Sequence, residues 1–246
     1  MNASTTSVEL RAALAPSGTL RASINLGNPV LAGRDASGAP AGVSIDLARA
    51  FARQLGVPVE LLLFDKAAQS VDAVRAGAAD IGFFAVDPAR SEGLRFSAPY
   101  VLIEGSYLVP QASPLQDNAQ VDAPGRRIGV GKGSAYDLFL TRAIAHAGIE
   151  RLANAPAVLA ALRAGSVEVA AGIRTLLEEW AAQDSGLRVL PGRFMVIQQA
   201  MGIPADRGEA AGALLADFVE TMKAGGSVAQ ALARHKVQGA LVAPAA

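Results

Sequence analysis

The chain has 246 residues, 51% hydrophobic and 18% charged, enough to bury a core as one large domain or two lobes. Its 22 Lys plus Arg balance 22 Asp plus Glu, so net charge gives no reason to expect a nucleic acid or an anionic membrane as partner. The absence of cysteine removes disulfides, thiolate nucleophiles and cysteine-held zinc, and no stretch reaches the roughly 18 apolar residues of a membrane span.

MNASTTSVELRAALAPSG at the start lacks a basic segment followed by an apolar one, so either a signal was trimmed or the protein is cytosolic. An apolar strand is predicted from Leu20 to Leu26, then a Gly/Pro/Asp loop. A helix opens at SIDLARAFARQLG, capped by Ser44 or Asp46, with Leu47, Phe51 and Leu55 inward and Gly56 ending it. VPVELLLF is a second strand, AAQSVDAVRAG a helix with Val71 and Val74 inward, and ADIGFFAV a third strand. This β-α-β-α-β order is the pattern of an open parallel sheet, hence an α/β fold.

SAPYVLIEGSYLVPQASPLQDNAQVDAPG is extended through Tyr107 and Val109 and then becomes a polar connection. A second β/α series follows: strand RRIGV, a helix from about Ser134 to Ala147, helix PAVLAALRAG, strand VEVAAG, helix RTLLEEWAAQ and strand LRVL. RFMVIQQAMGIP is another extended segment. RGEAAGALLADFVETMKAGG is a helix with Leu214, Leu215, Phe218 and Met222 on one face, and a short helix covers Ser227 to His235. Two connections between two lobes make a hinge.

Arg90 falls just past the end of the third strand, where a planar guanidinium offers paired donors matched to a carboxylate. The plainer alternative is a surface arginine pairing with Asp87 or Glu92. GKGSAYD is a Gly-rich turn opening a helix, so the amides of Ser134 and Ala135 favour an anionic group. It lacks the G-x-x-x-x-G-K-[ST] spacing of a P-loop, and Lys132 is read as a solvated loop lysine. His146 and His235 are read as surface residues of separate helices. No metal-ligand cluster, G-x-S-x-G elbow or cofactor motif is found, so no metal, cofactor or catalytic residue is assigned.

Six segments in register resemble the family 3 extracellular solute-binding proteins, the amino-acid receptors of ABC importers. They are SGTLRASINLGNP, GAPAGVSIDLARAFARQLGVPVE, VDAVRAGAADIGFFAVDPARSEGLRFSAPY, RIGVGKGSAYDLFL, ALRAGSVEVAAG and MKAGGSVAQALA. The resemblance runs from about Ser17 to Arg234. It implies the type II periplasmic binding fold: a two-lobed clamp, each lobe a mixed, mostly parallel sheet flanked by helices, closing on a small ligand through two hinge crossings. Lobe 1 is expected at 1–108 with 198–246, and lobe 2 at 109–197. It also implies an ABC permease as partner, a monomer, and a periplasmic location, with the cytoplasm as the alternative.

The resemblance makes Arg90 the residue that grips a ligand carboxylate. The family's hydroxyl partner is replaced by Ala85, around which backbone amides still donate, and the stretch from Asp80 to Arg90 is two residues shorter than usual. Where the family covers its ligand with an aromatic ring this chain has Gly27-Asn28-Pro29-Val30; Asn28 is either a hydrogen-bonding substitute or a turn residue before proline. Phe64, Phe83 and Phe84 lie at strand ends and offer an apolar wall, or are ordinary core; alternation argues against both Phe83 and Phe84 facing a cleft. Ser134 matches the second carboxylate contact, while Ala135 lacks the usual hydroxyl.

After VEVAAG the family presents an acid for the ligand's ammonium, and here the register reads Ile173-Arg174. Arg174 either attracts a second carboxylate, favouring an acidic ligand, or pairs with Glu178 four residues on. Gln198 or Gln199 adds an amide contact, and Glu104 has no assigned role. The expected function is therefore a solute receptor for a small carboxylate. Two alternatives share the fold: a cyclohexadienyl-dehydratase-like enzyme, for which Glu104 is the sole candidate acid, and a ligand-sensing module outside transport.

Overall fold

The computed structural model describes residues 7–246, which divide into two compact units: the chain through Leu102 with Gln198–Ala246, and Ile103–Ile197. The boundaries expected from the sequence put the outward crossing six residues later, after residue 108, and the return between 197 and 198. Both crossings lie inside long strands, with no Gly or Pro at either step to mark a boundary.

In the first unit the chain runs α1 (Val8–Leu14), β1 (Leu20–Asn25), β2 (Gly33–Arg34), β3 (Pro40–Ala41), α2 (Val43–Leu55), β4 (Val59–Phe64), α3 (Ala67–Arg75), β5 (Ile81–Ala85), α4 (Pro88–Ser91) and β6 (Leu94–Pro110). The predicted inner stripe of α2 is buried at Leu47, Phe51 and Leu55, and Gly56 ends the helix in the left-handed conformation. Its start differs from expectation: Gly42 is the N-cap, and no side chain caps the helix. A Cβ on Gly42 would lie 2.5 Å from the Leu31 carbonyl oxygen at φ +138°, so the close approach excludes the Ser or Asp that sequence rules favour there. Asp46 instead binds Arg234 and His235, each at 2.8 Å.

β4, β1 and β5 are parallel, with Asn25 opposite Phe64 and Ser23 opposite Gly82. Strand order across this unit continues β4-β1-β5-β11-β6, where β11 is Met195–Pro204 and antiparallel to β5, with Gln199 opposite Ala85. At the amino end of β5, Asp80 is fully buried and accepts from the backbone and guanidinium of Arg21 and from Arg207. This ties the bottom of the sheet together and leaves its carboxyl edge for other work.

The second unit contains the far half of β6, then β7 (Arg127–Gly131), α5 (Ala135–Ala143), β8 (Gly148–Leu152), α6 (Ala155–Arg163), β9 (Val169–Ile173), α7 (Arg174–Gln183) and β10 (Leu187–Val189). Its order is β6-β9-β7-β8, with β10 also on β6; β7 is parallel to β8 and β9, and β9 is antiparallel to β6. One core face gathers Tyr107, Ile128, Val130, Leu140 and Val169; the other gathers Val158, Leu162, Ala170 and Leu177. β8 was not foreseen: its GIERL lacks an apolar run and is largely exposed, and it forms because β7 offers it an edge.

The chain then closes with α8 (Glu209–Ala224), α9 (Ser227–Arg234) and β12 (Ala240–Val242) back in the first unit. Leu215 and Phe218 of α8 are buried as expected, and the Phe218 ring lies 4.8 Å from that of Phe51; Leu214 and Met222 are half-buried.

Candidate functional site

Because β4, β1 and β5 are parallel, Phe64, Asn25 and Ala85 finish at one edge of the first unit's sheet, the edge where open α/β sheets bind ligands. The chain leaves β5 through Val86, whose amide donates to the Gln198 carbonyl at 2.8 Å. Asp87 then caps α4, accepting from the Ala89 amide at 2.9 Å, with Pro88 at the first helical position. This turn carries Arg90 inward: it is 6% exposed, and its guanidinium donates to the Ala85 carbonyl at 3.3 Å. Burial pushes the Arg90 guanidinium below its ordinary value, and attraction by Asp87 offsets only part of that. A buried guanidinium keeps the planar, paired donor geometry that matches a carboxylate.

Asn28 sits in the loop after β1. Its backbone carbonyl accepts from the amides of Leu31 and Ala32, each at 3.1 Å, while its buried side-chain oxygen has no hydrogen-bond partner. Phe64 is half-buried at the end of β4. Phe83 and Phe84 are both buried, on opposite faces of β5: Phe83 meets Tyr100 edge-on at 6.1 Å, and Phe84 meets Phe96 edge-on at 6.2 Å. Phe84 packs with Val71, Val74 and Leu94, which makes it a core residue rather than a wall for a ligand. Gln198 is exposed at its side chain and Gln199 is buried, so the two part as alternation requires.

In the second unit, α5 begins at Ser134, whose hydroxyl accepts from the Asp137 amide at 3.1 Å. Of the two amides expected to favour an anion, that of Ser134 is used by the chain itself. The Ser134 amide donates to the Gly131 carbonyl, and the Gly133 amide donates to the Asp137 carboxylate at 2.8 Å. Asp137 is buried and also holds Arg151 at 2.9 Å. The S-x-x-D spacing of Ser134 and Asp137 is a capping signature that would have revealed this self-occupation. Ala135 opens the helix and is half-buried, and Lys132 is exposed.

Arg174 follows β9 and is met from three sides. Its Nε donates to Glu104 at 2.7 Å, one terminal nitrogen donates to Glu178 at 3.4 Å, and the other donates to the Gly192 carbonyl. Arg193 binds the second oxygen of Glu104 at 2.5 Å. The hydrogen bond from Arg193, followed by those and the attraction from Arg174, holds the Glu104 carboxyl below its ordinary value against the opposing effect of burial. Arg174 was expected either to draw a second carboxylate or to pair with Glu178. The Glu178 contact is present, and the stronger partner, Glu104, was missed because it lies 70 positions away and arrives only through the pairing of Gly105 with Ile173.

The histidines differ from expectation. His146 lies in the bend after α5, its amide donating to Asp122, and His235 caps the end of α9. Among the described residues no group of three or more His, Asp or Glu is placed to hold a metal ion, and no helix is long and apolar enough to cross a membrane.

The family model of bacterial extracellular solute-binding proteins, family 3, matches residues 20–237. Comparison with curated proteins returned no match. Among solved structures, the chain is similar to a solute receptor for L-cysteine from Neisseria gonorrhoeae, at 25% identity, 93% coverage of this chain and 95% of that one, and a TM-score of 0.78. An amino acid ABC transporter substrate-binding protein from Streptococcus pneumoniae bound to L-arginine shares 18% identity, with 91% and 96% coverage and a TM-score of 0.76. An ancestral amino acid-binding protein described as a precursor of cyclohexadienyl dehydratase shares 20%, with 91% and 98% coverage and a TM-score of 0.74.

Proposed function

The chain belongs to the bacterial extracellular solute-binding proteins of family 3, and from that premise we propose that it is a receptor for a small carboxylate of the amino-acid class, anchored by Arg90. The fold, with mixed and mostly parallel sheets flanked by helices, is that of type II periplasmic binding proteins. The observation that carries the reading is the Arg90 guanidinium, buried after β5 at the carboxyl edge of β4, β1 and β5. A planar guanidinium at that edge offers a ligand carboxylate two parallel N–H donors. The amino-acid ligands of the L-cysteine and L-arginine receptors support that class.

Arg174 is engaged at all three nitrogens by Glu104, Glu178 and Gly192, so the argument for a second ligand carboxylate loses its support. The proposed partners are this ligand and the membrane permease of an ABC importer, the protein acting outside the cytoplasm as a monomer. Catalysis is the weaker reading. The one candidate acid, Glu104, has its carboxyl held below its ordinary value by Arg193 and Arg174, which is the wrong protonation state for donating a proton near neutral pH.

A thermal-shift panel of the common L-amino acids, small dicarboxylates and prephenate tests the proposal. A ligand at about 100 times its Kd adds about 2.7 kcal/mol, and each kcal/mol moves Tm by about 2–4 °C in a chain of this size. Stabilisation by a carboxylate is expected. Release of product from prephenate would replace the receptor reading with an enzyme, and silence across the panel would remove the carboxylate.

A further inference from the structure

The chain's net charge is balanced, but its cations are not answered evenly. Arg21, Arg127, Arg151, Arg163 and Arg174 each meet a carboxylate of their own unit. Among the described residues, the side chains of Arg11, Arg49, Arg53 and Lys236 make no hydrogen bond and no ion pair. All four lie in the helical layer of the first unit: Arg11 on α1, Arg49 and Arg53 on α2, and Lys236 two residues beyond α9. In that layer α9 packs against both α2 and α8, and α1 packs against α8.

Each residue of a helix turns by about 100°, so Asp46, Arg49 and Arg53 fall within about 60° of one another along about 10 Å of α2. At one end of this stripe Asp46 meets Arg234 and His235, each at 2.8 Å, and the Arg234 side chain stays 63% exposed. At the other end the Arg11 guanidinium reaches the turn that closes α2, where a Cβ on Gly56 would lie 3.8 Å from its terminal nitrogen. Local chemistry accounts for part of this set only. Arg11 and Arg53 stand in the last turns of their helices, where a cation favours the dipole. Arg49 is mid-helix and sits four residues before Arg53, a spacing at which like charges repel. Lys236 is exposed at φ +52°, the one described non-glycine residue in the left-handed region that suits glycine. The nearest helices carry exposed acids at Glu9, Glu209 and Asp217, and none of them forms an ion pair with these cations.

We propose that this ridge, Arg49 and Arg53 with Arg11, Arg234 and Lys236 at its ends, is a docking surface for an anionic phospholipid membrane. A row of cations on the outer face of a helix meets a plane of headgroups without a pocket, and clustered Lys and Arg are drawn to anionic lipid. The exposed side chains of α2 are Arg49, Arg53 and Gln54, and those of α9 are Ala229, Gln230, Ala233 and Arg234. Neither helix exposes an aromatic ring, whereas the cores of protein interfaces are enriched in such rings and single-stranded nucleic acids stack on them. The proposal goes beyond the receptor reading and does not depend on Arg90.

Vesicle flotation without ligand tests it, with vesicles of equal phosphatidylglycerol and phosphatidylcholine set against pure phosphatidylcholine. The wild type is expected on the anionic vesicles alone at about 0.01 M ionic strength, where charges act over about 30 Å, and released at about 1 M, where they act over about 3 Å. A cation near an anionic surface is worth about fivefold in binding, so Arg49→Gln with Arg53→Gln should weaken partitioning by about tenfold or more. Arg49→Lys with Arg53→Lys keeps the charge and should partition within about threefold of wild type. Lys66→Gln with Lys132→Gln removes two exposed cations outside the ridge and should likewise stay within about threefold. If circular dichroism shows that the glutamine pair on α2 does not fold, Lys236→Gln serves in its place, with a loss of about fivefold expected. No partitioning onto the anionic vesicles, equal partitioning onto both lipids, indifference to salt or an equal loss in the Lys66 and Lys132 pair overturns the proposal. The thermal-shift panel reads the receptor proposal separately, so either can fail without the other.

Discussion

Arg90 in the first unit and Arg174 in the second each follow a fully buried five-residue strand, and their charges are met in different ways. Arg90 is nearly enclosed, and the attraction of Asp87 offsets part of what burial takes from its charged form. Arg174 keeps a quarter of its side chain in solvent (23%) and meets two carboxylates and a carbonyl of its own unit. Position at a strand's end is thus a poor guide to an arginine's role by itself. What separates the two is burial: Arg90 is 6% exposed, whereas the Arg174 side chain is 23% exposed within its ion-pair network.

The largest expected effect is on Arg90. Arg90→Ala should lower affinity for the carboxylate found in the panel by at least 100-fold, about 3 kcal/mol, because the other half of a buried, charge-assisted contact is left unmatched. Calorimetry with circular dichroism as the control for folding reads this. An affinity within threefold of wild type would erase the contrast between the two arginines.

Arg174→Ala should do the reverse, lowering Tm by about 2–4 °C through the loss of about 1 kcal/mol in a partly exposed network, with affinity changed less than threefold. Loss of affinity with an unaltered Tm would return Arg174 to the ligand.

The smallest effect is a pH dependence. Glu104 has a folded value below its ordinary one, so its contribution is full above an ordinary glutamate pKa of about 4.3 and fades as pH falls through the lower folded value. The Tm gap between wild type and Glu104→Gln should therefore be widest near neutral pH and narrow toward pH 3. A gap that is constant with pH would mean that the ion pairs with Arg174 and Arg193 contribute nothing.

Much of the fold was legible because it is written in local chemistry. The 3.6-residue spacing of Leu47, Phe51 and Leu55 and the glycine at position 56 described α2, and the alternation of core and loop segments described the parallel sheets. Elements without a local signal were missed. The α1 helix and β12 are short, and β8 is a polar strand shaped by its neighbour. At the candidate site, Arg90 stood out through its place after an apolar strand. For Phe84 both a wall and a core role stayed open, because a strand-end phenylalanine looks the same in sequence whether it lines a cleft or fills a core, and it packs in the core.

By itself the sequence determined the α/β order, the stop of α2 at Gly56 and the membership of a solute-binding family, since these follow from periodicity, a glycine conformation and six segments kept in register. Tertiary structure alone decided which charges are answered. Glu104 reaches Arg174 through an antiparallel register between strands far apart in the chain, and Asp137 turns back to take the Gly133 amide just before α5. The buried, unpartnered side-chain oxygen of Asn28 belongs to the same class of fact, because its neighbours come together only in the folded chain and no window of sequence contains them.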